Sequence, residues 1–253
     1  MTWRRFRQLV SGEGRRLLKE LDKFPGSILV TGCQRSGTTM LSRIITQSEG
    51  MVCYYFGADD ELDAALILAG LVDHTPRGRY CFQTTYLDQH YREYYEHVGG
   101  YKMVWVLRNP FSTIYSLLYN WPSQALDNMF CGFVAPSLTG VERWWYRLLG
   151  RQGFSRVKRA AMIYNRKIAQ LLELRPSLGA GNVLVVDYDD LVKRKTELLP
   201  AIYEFIDLAY KQSYAEKIHA KSLEKANNLS GRETAVIQKL CQTWYQQAKT
   251  FCI

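Results

Sequence analysis

Short apolar runs alternate along the chain with stretches in which apolar residues return at intervals of three and four. The break at Pro25 and Gly26 precedes Ser27, Ile28, Leu29, Val30 and Thr31, a β-branched run that predicts a buried parallel strand. A glycine-containing loop, Gly32 to Gly37, comes next, and Met40, Leu41, Ile44 and Ile45 then predict a helix over 38–47. The pattern repeats at Lys102 to Leu107, a second apolar strand ended by Arg108, Asn109 and Pro110. Asn can cap free amides and Pro has no amide to lose, so a helix is expected from Pro110 to about Tyr119. A third strand is predicted from Asn182 to Val186, followed by Asp187, Tyr188, Asp189, Asp190 and Leu191 and a helix over 198–206. Strands alternating with helices imply an α/β fold with a central parallel sheet flanked by helices, read as one domain over residues 1–253.

Two regions fall outside this alternation. Residues 3–23 mix Leu, Val and Phe with many Arg and predict a basic surface helix, interrupted near Gly12 and Gly14. The stretch from Trp121 to Gly140, rich in Pro, Gly, Asn and aromatics, reads as a lid or binding loop. Trp121, Phe130, Phe133, Trp144 and Trp145 are its candidate lining, with helix packing as the other role for Trp144 and Trp145.

Composition narrows the partners. With 47% hydrophobic residues the chain has enough apolar side chain to offset its conformational entropy, which excludes disorder. The 33 Lys and Arg against 24 Asp and Glu leave a formal charge of +9, which suits an anionic partner. No apolar run approaches the ~20 residues a membrane helix needs, and no signal-peptide core follows the basic N-terminus, so a cytoplasmic protein with no membrane partner is expected. Nothing resembles a nucleic-acid motif. The six cysteines show no CxxC pair or zinc spacing and read as free thiols, with no metal expected. The basic residues from Arg143 to Lys167 read as a solvated helix face that attracts an anionic ligand.

The chemistry concentrates in Gly32-Cys33-Gln34-Arg35-Ser36-Gly37-Thr38-Thr39. This has the spacing of the P-loop G-x-x-x-x-G-K-[ST], except that Thr38 stands where Lys should be. Such a loop turns backbone amides toward one point at a helix N-terminus, where the helix dipole favours an anion. The Lys that bridges the β- and γ-phosphates in NTPases is missing, and the only cation within the loop is Arg35.

Arg35-Ser36-Gly37-Thr38-Thr39 after an apolar strand resembles the 5′-phosphosulfate loop of sulfotransferases that use 3′-phosphoadenosine 5′-phosphosulfate (PAPS). Arg108-Asn109-Pro110, with Ser116 eight residues after the Arg, resembles that family's 3′-phosphate site. Ser112 and Ser116 lie on one helix face, and Arg offers a two-pronged donor to phosphate. Val185 to Leu191 is similar to a third family segment, which implies that Tyr188 lies near the adenine. The resemblance runs from about residue 27 to 206, with Arg35 and Met40 where many animal cytosolic members have Lys and Trp. That points to the bacterial or carbohydrate-type branches of this P-loop-like family. Ser230, Gly231 and Arg232 fit either the family's C-terminal cofactor loop or a plain helix start before Glu233.

The resemblance implies transfer of a sulfonate from PAPS to a small-molecule acceptor, releasing 3′,5′-adenosine bisphosphate (PAP) without a metal. An acceptor must lose a proton, so a general base is expected. Cytosolic members place a His after a Lys-Thr pair, but here Phe82, Gln83, Thr84, Thr85 and Tyr86 offer none until His90. Carbohydrate-type members use a Glu about 20 residues past the phosphosulfate loop, near Asp59, Asp60, Glu61 and Asp63; an acidic helix N-terminus explains the same residues. His74, His97 and His219 read as surface residues. These acids beside Tyr54, Tyr55 and Phe56 suit a cationic acceptor, such as an amine or guanidinium alkaloid, with a carbohydrate or phenol as rivals. A P-loop kinase and a non-enzymatic basic binding module are the competing functions.

Overall fold

In a computed structural model the apolar runs pair as one all-parallel sheet. Its strands are β1 (Ser27–Gly32), β2 (Cys81–Gln83), β3 (Tyr101–Leu107) and β4 (Val183–Asp187), in the order β2-β1-β3-β4. The structure describes residues 1–10, 14–218, 224 and 226–253. β1 and β3 pair from Ser27 with Tyr101 to Gly32 with Val106. β2 has only three residues, too short to show a periodicity, and is the strand the sequence pattern does not reveal.

Both faces of the sheet are covered, which is why its strands read as continuous apolar runs. Leu29, Phe82, Met103, Trp105 and Val185 enter one core, with α3 (Asp60–Leu68), α4 (Pro110–Tyr119), α7 (Arg156–Leu178) and α11 (Gly231–Lys249). Ile28, Val30, Val104, Val106 and Val186 enter the other, under α2 (Thr38–Thr46), α8 (Tyr188–Lys193) and α9 (Lys195–Phe205). Asn109 caps α4 by accepting from the Ser112 amide at 2.8 Å, and Pro110 begins that helix.

Four expectations change. The N-terminal helix is only α1 (Trp3–Val10); Leu17, Leu18 and Leu21 are buried in a turn-rich segment that ends in a 3-10 turn, Leu21–Lys23. Gly12 lies outside the described residues, as does His219. The stretch 121–140 is not an open loop: α5 (Ser123–Met129) runs into a π turn, Phe130–Val134, and a 3-10 turn. Leu126, Met129, Phe130, Phe133 and Val134 recur at helical spacing and are all buried, a pattern masked by the neighbouring Pro and Gly. The basic face from 143 to 167 is only partly solvated. Arg159 is buried against Asp127 at 3.0 Å, and Lys167 is buried against Asp88 at 2.8 Å. His97 is likewise buried, held by Asp22 at 2.7 Å. The six thiols are unpaired, and Cys33, Cys81 and Cys241 are buried.

The sheet order places a topological switch between β1 and β3, whose connections leave in opposite directions. In open α/β sheets ligands bind at the carboxyl ends of such strands. Gly32 ends β1 there with φ 150°, and a Cβ on it would stand 2.4 Å from the backbone oxygen of Val106. Gly32→Ala is therefore expected to lose about 1–3 kcal/mol, read as a lowered urea midpoint with an unchanged slope.

Candidate anion-binding and active site

The two motifs leave adjacent strands and meet. Cys33 to Gly37 turns the chain from β1 into α2; Arg35 adopts a left-handed φ of 71° and Gly37 a φ of 103°. Gly37 is the N-cap of α2 and supplies no side-chain cap, so the donors at the start of that helix depend on other partners. Ser36 is buried, and its Oγ has no hydrogen-bond partner among the described residues. A buried hydroxyl without a partner beside a helix N-terminus fits a loop that an anion completes.

Arg108, two residues beyond the strand position paired with Gly32, folds back over this loop. Its Nη1 donates to the Arg35 carbonyl at 3.3 Å, and its guanidinium lies 4.5 Å from the Tyr188 ring centroid. Arg35 reaches the other way, its Nε donating to Ser116 Oγ on α4 at 3.1 Å. Arg35, Arg108 and Ser116, far apart in sequence, thus form one cluster. Burial lowers the pKa of both arginines; Asp189, 3.7 Å from Arg108, opposes this, while Arg35 itself adds to the repulsion on Arg108. Asp189 is shared with the Asn109 amide, and burial raises its pKa. A buried guanidinium beside an exposed one, with Asp189 and Asp187 as nearby carboxylates, gives a cationic spot that suits an anion.

Tyr188, expected near the adenine, packs between the two motifs. It is buried, one side of it under Arg108, and a Cβ on Gly37 would come within 2.3 Å of its ring. The ring thus touches both motif segments. The packing also gives Gly37 a second reason to be Gly, besides its positive φ.

The acidic segment sorts itself by hydrogen bonding. Asp59 caps α3, accepting from the amides of Glu61 and Leu62 at 3.1 Å each, and takes the Trp3 indole at 2.7 Å. Asp60 is paired with Arg43 of α2. Asp63 accepts from the amides of Phe56 and Gly57 at 2.9 and 2.7 Å. Glu61 alone turns toward the loop. It takes the Thr85 hydroxyl and, at 3.4 Å, the Gln83 amide, which also donates to Thr38 Oγ1 at 3.2 Å. Burial pushes the Glu61 carboxyl up to about 7, with Asp59 adding repulsion and the Thr85 hydrogen bond and Lys167 opposing.

Thr85 is a junction that the sequence motifs did not single out. Its carbonyl accepts from Lys167 at 2.7 Å and from Gln34 of the phosphate loop at 2.9 Å, while its hydroxyl holds Glu61. Lys167 arrives from α7, and no motif spacing links it to the loop; only tertiary packing does. His90 is exposed and pairs with Glu93 at 3.3 Å, outside this network. Ser230 forms a capping box with Glu233 at the start of α11, the plain helix-start arrangement, while Arg232 is exposed. Glu233 also accepts from Tyr119 at 2.6 Å, which sets this cap beside α4.

No family model matches the chain, and no curated protein matches its sequence. Solved structures do match. The sulfotransferase domain from the curacin biosynthetic pathway superposes with a TM-score of 0.52 at 14% identity, covering 90% of this chain and 97% of that one. Mouse sulfotransferase SULT7A1, solved in complex with PAP, gives 0.50 at 15% identity over 96% of each chain. Sulfotransferase STF9 from Mycobacterium avium gives 0.51 at 10% identity, over 90% of this chain and 78% of that one. With the parallel sheet and its flanking helices, these likenesses show that the chain has the α/β fold of the sulfotransferases.

Proposed function

We propose that the protein is a PAPS-dependent sulfotransferase acting on a small molecule. The observation that carries this reading is the convergence of Arg35, Arg108 and Ser116 on one spot at the ends of β1 and β3. PAPS carries anions at the 5′ and 3′ positions of its ribose, and the 3′-phosphate needs a second site beyond the loop. Ser36, Gly37, Thr38 and Thr39 would receive the 5′-phosphosulfate, and Arg108 with Ser116 the 3′-phosphate. Tyr188 braces the two, with Ser230 and Arg232 as outlying contacts beside α4.

PAPS supplies an activated sulfonate, whose sulfur bonds to the acceptor's oxygen or nitrogen as its bond to the 5′-phosphate oxygen breaks, leaving PAP. Charge grows on that bridging oxygen and on the sulfuryl oxygens, where Arg35 and the α2 N-terminus would offset it. The acceptor's proton goes to Glu61. A carboxyl poised near neutrality is suited to that task, and Gln83 links it to Thr38 at the loop. Asp59 and Asp60 are left with the structural roles already described. Since three of the acids are held by internal partners, a cationic acceptor would be attracted chiefly by Glu61 and by the aromatic faces of Tyr55 and Phe56. An amine or guanidine nitrogen, or a hydroxyl as in a carbohydrate or phenol, fits this arrangement. The kinase reading is weakened because Thr38, in the place of the missing Lys, has its hydroxyl taken by Gln83.

Adenosine 3′,5′-bisphosphate is expected to raise the melting temperature at near-stoichiometric levels, whereas AMP leaves it nearly unchanged. Arg108→Ala should remove most of that stabilisation, while Arg35→Ala should chiefly lower kcat, by ~10² to 10³. The opposite pattern would reverse the two assignments.

Glu61 makes a second set of expectations. As a base it must be ionised, so kcat/KM should rise with pH through about 7, and Glu61→Gln should abolish that limb and cost ~10² to 10⁴ in rate. Its carboxyl lies above the usual 4.5, so between pH 4.5 and about 7 the folded chain binds more protons than the unfolded chain. Stability should therefore fall as pH rises through this window, and the fall should be shallower in Glu61→Gln. Equal pH slopes of melting temperature in the two proteins would remove the perturbed carboxyl from the account.

A further inference from the structure

Helix α6 (Gly140–Leu149) is inverted relative to an ordinary surface helix, and none of its residues is buried. Val141, Trp144, Trp145, Leu148 and Leu149 are 71%, 56%, 42%, 61% and 47% exposed. At ~100° per residue they form one continuous apolar arc of about 140°. The side turned to the protein holds Glu142 and Tyr146, one turn apart. Glu142 pairs with Lys158 of α7 at 3.1 Å, and the Tyr146 ring lies 6.0 Å from Phe130. The helix is therefore anchored by its polar residues and presents its apolar ones to solvent. Large contiguous apolar patches on a folded surface mark an interaction site.

The charges around this arc point to its occupant. Arg143 and Arg147, both exposed, lie one turn apart along the edge of the arc beside Trp144. No carboxylate of α6 answers them, since its only acid, Glu142, is held by Lys158 on the opposite edge. An antiparallel pairing of two copies through this face would bring arginine edge against arginine edge, which opposes a dimer. A surface with Trp and Leu facing outward and Arg along the edge matches the interface of an anionic bilayer: the rings enter the headgroup region and the guanidinium groups meet lipid phosphates. On the Glu142 edge of the arc, a groove of about 290 Å³ is lined by Leu138, Met162, Leu240 and Trp244 together with Arg166 and the Glu142–Lys158 pair. The formal charge of +9 favours the same partner at longer range. No described helix is long and apolar enough to cross a membrane, so the contact would be peripheral.

We infer that the exposed face of α6 docks the protein onto anionic phospholipid surfaces, in place of the membrane-free protein expected from the sequence. This inference stands apart from the proposed transferase chemistry. It is tested by sedimenting the full chain with vesicles of phosphatidylcholine alone or with about a third of the lipid replaced by phosphatidylglycerol. Binding to the anionic vesicles is expected, weakening as salt rises. Trp144→Glu combined with Leu148→Glu should reduce it at least ~10-fold, and Arg143→Gln and Arg147→Gln by about fivefold each. All four side chains are exposed, so melting temperatures should be unchanged. The inference is overturned if the native chain stays in the supernatant with anionic vesicles or if the glutamate variant binds as well as the native chain. A native dimer on gel filtration that the glutamate variant converts to a monomer would assign the face to a second copy and overturn it as well.

Discussion

The structure around the candidate site depends on holding two guanidinium groups, one buried and one exposed, close together at the ends of β1 and β3. Arg108 is buried and Arg35 exposed, burial lowers the pKa of both to different extents, and Arg35 further disfavours the charge on Arg108. The fold tolerates this because several contacts share the load. The Arg35 carbonyl accepts from Arg108, Ser116 accepts from Arg35, and the Tyr188 ring lies beneath Arg108 and against Gly37. Asp189 supplies a nearby counter-charge, with Asp187 adding to it. Such a crowding of guanidinium groups suits a polyanion, whose negative charge would offset it.

The same corner positions the candidate base. Glu61 lies at the start of α3 among acids that are committed to capping, to Arg43 or to backbone amides, and it alone reaches Gln83 and Thr85. Thr85 in turn is fixed through its carbonyl by Lys167 and Gln34. The phosphate loop, the short strand β2 and the long helix α7 are therefore tied together by one backbone carbonyl. A shift in α7 would be transmitted to Glu61 and to the loop together, which gives the buried Lys167–Asp88 pair a reason to exist beyond packing.

The contrast with α6 is instructive. Helices such as α4 and α7 turn apolar stripes inward, as patterning requires. Helix α6 has an equally clear stripe, yet its Glu142 and Tyr146 contacts fix it with that stripe outward. Periodicity reports that a helix has two faces; it does not report which face meets the rest of the chain. The expectation that Trp144 and Trp145 pack within the fold or line a lid fails for that reason.

Three of the four strands, the helix start at Asn109-Pro110 and the loop from Gly32 to Gly37 were legible in the sequence. Each rests on local physics: β-branched runs, a cap beside a proline, and glycines needed for positive φ or close backbone approach. So were the members of the cationic cluster, because Arg35, Arg108 and Ser116 lie in motifs with fixed spacing. Other features were decided only by tertiary structure. β2 is too short to leave a pattern, and the helical spacing from Leu126 to Val134 was hidden by Gly132 and the flanking Pro122 and Pro136. That Glu61, rather than Asp59 or Asp60, turns toward the loop depends on partners distant in sequence, and Lys167 reaches Thr85 from a helix equally distant. Local spacing determined what each segment can form, whereas burial and long-range hydrogen bonding determined which side chains remain available for chemistry, because both depend on neighbours that the chain brings together only when folded.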